Sequence, residues 1–205
     1  MSGKIISFEG IECTGKSTQI RHLQQFLSQK NIITQVVREP GNTYIGEQIR
    51  NLLQYDDQAN NMCAETELLL YEASRAQLIR EFVLPTLQKN EWVIFDRFFD
   101  SSTAYQGAAR HIPDAIVQQL NHFAVQDCIP SLTILLDIDV DLAFQRLQNR
   151  KKDRIERESR SFFEAVREKY LAMAEQERFL VIDAALPIDQ IAQTIRQHVE
   201  NLFNL

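Results

Sequence analysis

The segment from Gly10 to Ser17 most constrains how this 205-residue chain can fold, and it reads Gly-Ile-Glu-Cys-Thr-Gly-Lys-Ser. It fits the pattern G-x-x-x-x-G-K-[ST] and follows a short apolar run that ends at Phe8. Apolar residues at helical spacing then occupy positions 17–29. A strand, a loop with two glycines and a helix, in this order, predict a backbone cradle for phosphate groups at the start of the helix.

The loop residues have separate expected tasks. Two glycines allow a turn tight enough for successive N–H groups to point at phosphate oxygens. Lys16 is expected to bridge the outer phosphates and Ser17 to ligate magnesium. The alternative is that the glycines are ordinary turn residues and that Lys16 is a surface charge; the flanking strand and helix favour the phosphate loop. The predicted nucleotide-contacting residues are Gly10, Ile11, Glu12, Cys13, Thr14, Gly15, Lys16, Ser17 and Thr18.

Composition limits the classes of protein to consider. With 44% hydrophobic and 24% charged residues, the chain can bury a core as one domain spanning 1–205. The net charge is 22 − 28 = −6, which argues against a general affinity for nucleic acid or anionic membranes. No run approaches the roughly 20 apolar residues of a membrane span. The three cysteines lack metal-binding spacing, and we expect a cytoplasmic protein. Cys13 lies inside the phosphate loop, where it could be a redox switch or a small filler.

Strand-length apolar runs alternate with helical patterns along the chain. Alternation of this kind predicts an α/β fold with a five-stranded parallel sheet and helices on both faces. Strands are predicted at 4–8, 33–37, 92–95, 132–138 and 179–182. Helices are predicted at 45–54, 65–88, 112–125, 141–148, 162–176 and 188–202, with Pro85 bending the second of these and a loop without apolar anchors at 149–154.

The third predicted strand leads into Asp96 and Arg97. These residues would lie at the carboxyl edge of the sheet, where open α/β folds bind their ligands. Asp96 could help to hold magnesium, directly or through water, and Arg97 could grip a second phosphate group. The alternative is a structural ion pair between the two neighbours.

The chain also carries an ordered set of longer motifs. Residues 96–107 read Asp-Arg-Phe-Phe-Asp-Ser-Ser-Thr-Ala-Tyr-Gln-Gly, residues 38–41 read Arg-Glu-Pro-Gly, residues 71–75 read Tyr-Glu-Ala-Ser-Arg, and residues 153–156 read Asp-Arg-Ile-Glu. Together they resemble the signatures of bacterial thymidylate kinases over nearly the whole chain. The resemblance implies a P-loop NTPase fold with a short lid at about 149–157, ATP as phosphoryl donor, Mg²⁺ as cofactor, dTMP as acceptor and a homodimer.

The family's substrate-binding positions map onto this sequence one by one. By resemblance, Tyr71 stacks on thymine and Arg75 reaches a thymine oxygen, although a core tyrosine is the alternative for Tyr71. The resemblance also implies that Ser102 and Gln106 contact the base, that Tyr105 faces the 2′ side of the sugar and that Glu12 contacts the 3′-hydroxyl. Arg50 and Arg97 would hold the monophosphate, although Arg50 could instead be a solvated surface charge. Glu39 of the Arg-Glu-Pro-Gly stretch is also expected to bind the substrate.

The lid is expected to supply cationic donors, because the phosphate loop contains no arginine. Arg150, Arg154 or both would act there. Because the lid lacks a glycine that is common in the family, the sequence does not decide which of the two arginines reaches the phosphoryl group. Arg146 matches an arginine that packs on adenine, with a helix surface charge as the alternative. The resemblance also makes a cis bond plausible before Pro40. Two other functions stay open at this point, namely another deoxynucleoside monophosphate kinase and a catalytically silent nucleotide-binding regulator.

Overall fold

The computed structural model describes residues 3–148 and 152–205 of the chain. Five parallel strands form one sheet in the order β2-β3-β1-β4-β5. The central position of β1 brings the segment that follows it to the middle of the sheet's carboxyl edge. This confirms the α/β class and the five parallel strands predicted from the sequence. The strands are β1 (Ile5–Glu9), β2 (Thr34–Arg38), β3 (Trp92–Asp96), β4 (Leu132–Asp137) and β5 (Phe179–Asp183).

Helices connect the strands as parallel crossovers require. The α-helices are α1 (Lys16–Gln29), α2 (Tyr44–Gln54), α3 (Ala64–Leu78), α4 (Leu84–Gln88), α5 (Phe99–Ser102), α6 (Asp114–Val125), α7 (Val140–Leu147), α8 (Arg160–Met173) and α9 (Ile188–Phe203). Wider π-helical turns occupy Ile79–Val83 and Thr103–Ala109, and 3₁₀ turns occupy Asp57–Asn61 and Ile155–Arg157. No helix within the described ranges is both long enough and apolar enough to cross a membrane.

Alternate residues of the central strands belong to two different hydrophobic clusters. Ile6 and Ile94 pack in the cluster that contains side chains of α1, α8 and α9, whereas Ile5 and Val93 pack in the cluster beside Ile79. Both faces of the sheet are therefore covered, because successive side chains of a strand point to opposite faces. Burial on both faces explains why the strands read as continuous apolar runs in the sequence.

Every strand ends on a charged residue at the carboxyl edge. The final residues are Glu9, Arg38, Asp96, Asp137 and Asp183. The apolar runs place the ends of β1, β2, β3 and β5 one residue too early, because hydrophobic patterning does not register a charged residue that still pairs with the neighbouring strand, and they extend β4 one residue too far, to the apolar Ile138. This edge carries the polar groups described below.

The long helix predicted at 65–88 is interrupted. The backbone N–H of Leu84 donates to the carbonyl of Ile79, which widens the turn to π geometry, and α4 then begins with Pro85 in its first turn. Proline has no N–H to continue the α-helical pattern, so a locally altered turn before it is expected. The structure has α5 and a second π-helical turn at 99–109, where the sequence pattern predicts no helix.

Candidate active site

The loop between β1 and α1 adopts the geometry of a phosphate cradle. Gly10 has φ of 130° and Gly15 has φ of 90°. A Cβ atom at Gly10 would lie 2.3 Å from the carbonyl oxygen of Leu136, so the position requires glycine. Gly15 precedes α1 and has no side chain to cap it, which leaves the first N–H groups of the helix available to an anion.

Lys16 lies beneath this loop. Its Nζ donates hydrogen bonds to the carbonyl oxygens of Gly10 at 3.0 Å and Ile11 at 2.7 Å. Burial, assisted by the charge of Arg97, lowers the pKa of Lys16 from 10.5 to about 8. Negatively charged phosphate oxygens would stabilise a buried cation more than neutral carbonyl groups do. Lys16 therefore lies where an anionic ligand would stabilise its charge.

Ser17 and Asp96 meet next to the loop. The Ser17 hydroxyl donates to a carboxylate oxygen of Asp96 at 3.0 Å, and both residues line the same cavity. A hydroxyl and a carboxylate are oxygen donors of the type that Mg²⁺ prefers, and Mg²⁺ commonly takes one or two protein ligands together with phosphates and water. The described residues hold no group of three or more acidic, histidine or cysteine side chains that could bind a metal without such help. The pair therefore fits a metal bound jointly with a nucleotide.

Arg97 does not pair with its neighbour Asp96. Its guanidinium donates to Glu12 at 2.7 Å and to the carbonyl of Gly10 at 3.0 Å, so the neighbour ion pair considered above is not formed. The backbone of Arg97 has φ of 69°, a left-handed conformation that costs energy for a non-glycine residue. The turn directs Arg97 back over the phosphate loop.

Glu9, which the sequence analysis did not single out, holds this turn. It is fully buried and accepts hydrogen bonds from the backbone N–H of Phe98, the hydroxyl of Ser101 and the hydroxyl of Tyr170, each at 2.7 Å. Burial, together with the charge of Asp100, raises the pKa of Glu9 from 4.5 to about 7. The sequence feature that could have indicated Glu9 is its position as a charged residue at the end of an apolar strand.

A cavity of about 410 Å³ extends from the phosphate loop across the carboxyl edge of the sheet. Among the residues that line it beyond the loop are Arg50 and Gln54 of α2, Tyr71 of α3, and Tyr105 and Gln106 of the second π-helical turn. The Arg50 guanidinium donates to the carbonyl of Pro40 at 2.8 Å and reaches this cavity from α2, so it is not merely a solvated surface charge. The predicted site residues that line the cavity are Glu12, Cys13, Thr14, Gly15, Lys16, Ser17, Thr18, Glu39, Arg50, Tyr71, Asp96, Arg97, Ser102, Tyr105 and Gln106.

Tyr105 contacts Glu12 of the phosphate loop and lines the same cavity. Its hydroxyl donates to the carboxylate of Glu12 at 2.9 and 3.0 Å, and the guanidinium of Arg97 lies 5.0 Å from its ring centroid. Glu12 is thus positioned from two directions. The peptide bond between Glu39 and Pro40 is cis.

Arg75 lies behind the cavity wall and is not among the residues that line it. Its side chain is 1% exposed and is paired with Glu39 at 2.7 Å and with Glu72. It also donates to the hydroxyl of Ser102 at 3.0 Å, to the side-chain amide oxygen of Asn121 at 3.1 Å and to the backbone carbonyl of Phe98 at 3.4 Å. Direct contact between Arg75 and a base stays a prediction; in this structure Arg75 supports Ser102.

Glu67 is a second buried carboxylate that the sequence analysis missed. It lies one and two helical turns before Tyr71 and Arg75, on the same face of α3. Its carboxylate accepts from the side-chain amide of Gln106 at 2.8 Å and contacts Arg110 at 3.1 Å and Arg154 at 2.7 Å. The spacing of positions 67, 71 and 75 indicates that Glu67 shares a helix face with Tyr71 and Arg75. That pattern alone does not predict burial, because an acidic residue on a helix is usually exposed.

The predicted lid is only partly described, because Arg150 lies outside the described residues. Arg154 precedes the 3₁₀ turn and is tied to Glu67 and to the carbonyl of Leu53 at 2.8 Å. It is not among the residues that line the cavity, whereas Asp153 is. Arg154 would therefore have to exchange partners to reach a transferred phosphoryl group, and its catalytic role stays a prediction.

Arg146, predicted to pack on adenine, lies on α7 at the outer side of the phosphate loop. Its exposed guanidinium donates to the carbonyl of Cys13 at 3.1 Å and contacts the carbonyl of Ala184. Arg146 is thus beside the loop but outside the cavity wall. Its contact with an adenine ring stays a prediction.

A phosphate loop follows the central strand, and the cavity that it lines continues to a second group of polar side chains. This arrangement defines the class of P-loop nucleotide kinases. A model of the thymidylate kinase family matches residues 8–195. The chain is 44% identical over 191 residues to the thymidylate kinase of Fervidobacterium nodosum, covering 93% of this chain and 95% of the relative. It is 42% identical to that of Kosmotoga olearia, covering 93% and 92%, and 40% identical to that of Carboxydothermus hydrogenoformans, covering 98% and 99%. The chain therefore belongs to the thymidylate kinase family.

Proposed function

We propose that this protein transfers the γ-phosphoryl group of ATP to dTMP and releases dTDP and ADP. The observation that carries the proposal is one cavity that joins Lys16 and the phosphate loop to Tyr71 and Gln106. The matching family and relatives support the choice of dTMP as acceptor. An acceptor phosphate is already a nucleophile, so the protein's main tasks are alignment and stabilisation of charge.

In this proposal, the phosphate loop binds the donor phosphates through its backbone N–H groups. Lys16 exchanges the carbonyl oxygens of Gly10 and Ile11 for phosphate oxygens. Ser17 and Asp96 would hold Mg²⁺, which when bound neutralises charge on the donor phosphates. Oxygen donors at 3.0 Å from each other support this assignment.

Arg97 and Arg50, which both line the cavity, bind the acceptor phosphate. Arg97 is supported in this role by its left-handed backbone and its contacts over the loop. Glu12 is held by Arg97 and Tyr105 where it can accept from a sugar 3′-hydroxyl, and the Tyr105 ring crowds the 2′ position. The ring of Tyr71 stacks on the base. Lid closure over residues 149–157 would exclude water from the reacting groups.

A coupled assay of ADP release tests the proposal. The protein is incubated with ATP, Mg²⁺ and each of dTMP, dUMP, dCMP, dGMP and dAMP. We expect turnover mainly with dTMP. Efficient turnover with a different monophosphate would overturn the base assignment but keep the phosphoryl-transfer chemistry, and ATP binding without turnover on any acceptor would indicate a nucleotide-binding regulator instead.

A homodimer and a cytoplasmic location are further parts of the proposal. Helices α3 and α6 pack beside each other and expose Leu69, Ile116 and Phe123, with Phe123 72% exposed. Exposed apolar side chains on two neighbouring helices favour association with a second copy, as the family resemblance implies. Sedimentation of the wild type and of Phe123→Asp tests this: we expect a dimer and a monomer respectively, and a monomeric wild type would overturn it.

A further inference from the structure

We propose that Glu67 sets the base specificity of the cavity by fixing the orientation of the Gln106 side-chain amide. The inference rests on the proposed function, because it assumes that Gln106 faces the nucleobase. Glu67 itself does not line the cavity. It is therefore a positioning residue that acts through Gln106.

The Glu67 carboxylate leaves Gln106 only one favourable orientation. One carboxylate oxygen accepts from the Gln106 amide nitrogen at 2.8 Å, and the two oxygens accept from the Nε and terminal nitrogen of Arg110, each at 3.1 Å. An ionised carboxylate can accept hydrogen bonds but cannot donate one. Rotating the amide by half a turn would place the oxygen of Gln106 against an acceptor and leave buried groups unpaired.

Several groups keep Glu67 ionised although its side chain is 1% exposed. Burial opposes the charge, but the hydrogen bonds and charge of Arg110, the amide of Gln106 and the charge of Arg154 hold the pKa of Glu67 below its usual value. Arg110 is itself paired with Glu158 at 2.6 Å. The two guanidinium groups thus maintain an acceptor-only partner for Gln106 across the neutral pH range.

The fixed orientation decides which hydrogen-bonding group Gln106 offers to a ligand. One N–H of its amide nitrogen is used by Glu67, and its amide oxygen accepts no hydrogen bond within the described part of the chain. The oxygen is then the acceptor that the fixed amide offers to a base. Thymine and uracil carry an N3–H donor that an oxygen can accept, whereas the corresponding nitrogen of cytosine is an acceptor. A site with a fixed acceptor therefore selects pyrimidines that carry N3–H over cytosine.

The substitution Glu67→Gln tests this step. A glutamine at position 67 nearly preserves the shape but can donate as well as accept, so the Gln106 amide gains its second orientation. We expect the ratio of kcat/KM for dTMP to that for dCMP to fall by about tenfold or more. The ratio for dTMP to dUMP should not change, because both bases carry N3–H. Glu65→Gln, the same chemical change on an exposed residue of α3, is the matched control and should alter neither ratio.

A merely structural role for Glu67 predicts a different result, since kcat/KM would then fall equally for all three substrates. That outcome would overturn the inference. Gln106→Leu separates it from the proposed function. If Gln106→Leu lowers the dTMP to dCMP ratio while Glu67→Gln does not, the inference alone fails; if Gln106→Leu leaves the ratio unchanged, the base-facing role of Gln106 fails.

A measurement on the wild type covers the case in which Glu67→Gln does not fold. The side-chain NH₂ signals of Gln106 can be assigned in ¹⁵N NMR spectra by their loss in Gln106→Leu. We expect slow hydrogen exchange of these protons both without ligand and with dTMP bound, because their bond to Glu67 persists. Exchange that is slow without ligand but becomes fast when dTMP binds would show that the amide is not held by Glu67. Exchange that is fast without ligand and becomes slow only when dTMP binds would show the same, and either result would overturn the inference.

Discussion

The carboxylate of Glu9 accepts a hydrogen bond from the backbone N–H of Phe98 at 2.7 Å, directly after the left-handed residue Arg97. The end of the central strand thereby secures the turn that aims Arg97 at the phosphate loop. Glu9 is fully buried, and no positively charged side chain is hydrogen-bonded to it among the described residues. A buried carboxylate with neutral donors binds a proton more tightly in the folded protein than in the unfolded chain.

The first prediction concerns the pH dependence of stability. The pKa of Glu9 is raised from 4.5 to about 7, so its contribution to the free energy of unfolding is fully present below pH 4.5 and is lost as the pH rises through about 7. We expect Glu9→Gln to remove this decline, worth on the order of 1 to 3 kcal/mol between pH 5 and pH 8.

Urea denaturation of the wild type and Glu9→Gln at several pH values measures the effect. Glu39, whose pKa burial also raises to about 7, contributes a decline of the same sign that Glu9→Gln leaves in place. Exposed Glu65 provides the control substitution Glu65→Gln, which should reproduce the wild-type slope. Parallel pH profiles for the wild type and Glu9→Gln would contradict the prediction.

Much of this arrangement can be predicted from the sequence, and the limits have a physical origin. The phosphate loop is local, so its glycines, Lys16 and the adjoining strand and helix suffice to place it. Glu9 and Glu67 were missed because each acquires its role from residues far along the chain, Tyr170 and Gln106 respectively. Hydrophobic patterning records which residues are apolar, but not which carboxylates are buried with partners.

The second prediction concerns Lys16 and Arg97, which line the cavity beside the phosphate loop. We expect Lys16→Ala and Arg97→Ala each to lower kcat/KM by about 100-fold or more, because each removes a positive charge from where charge develops during transfer. Lys30→Ala, at the far end of α1 in a surface ion pair with Glu200, is the control and should be nearly neutral. Near-normal turnover by either site variant, with its fold intact by circular dichroism, would refute the role given to that residue.

The third prediction is proton uptake when ATP binds. Burial, assisted by Arg97, lowers the pKa of Lys16 to about 8, so a substantial fraction of the ligand-free protein lacks this proton at pH 8. The negative phosphates would raise the pKa again and draw a proton from solution. Calorimetric titrations at pH 8 in buffers of different ionisation enthalpy measure this uptake.

Lys16→Met is the matched variant for the uptake measurement, since it keeps much of the aliphatic volume without a titratable group. We expect its binding enthalpy to be independent of the buffer, provided that ATP still binds at the concentrations used. A wild-type enthalpy that does not vary with buffer would show that Lys16 is already fully protonated before binding.

The last prediction concerns the lid. Arg154 is held by Glu67 at 2.7 Å and by the carbonyl of Leu53, and it does not line the cavity. If lid closure transfers its guanidinium to the reacting phosphoryl group, the interaction exists only in the closed state, and Arg154→Ala should lower kcat by about tenfold or more with little change in KM for dTMP. Arg157→Ala is the control, because Arg157 is an exposed neighbour whose contact with Asp57 is 3.5 Å long. A raised KM with unchanged kcat would instead assign Arg154 to the support of Glu67, and the charge for transfer would then have to come from another lid residue.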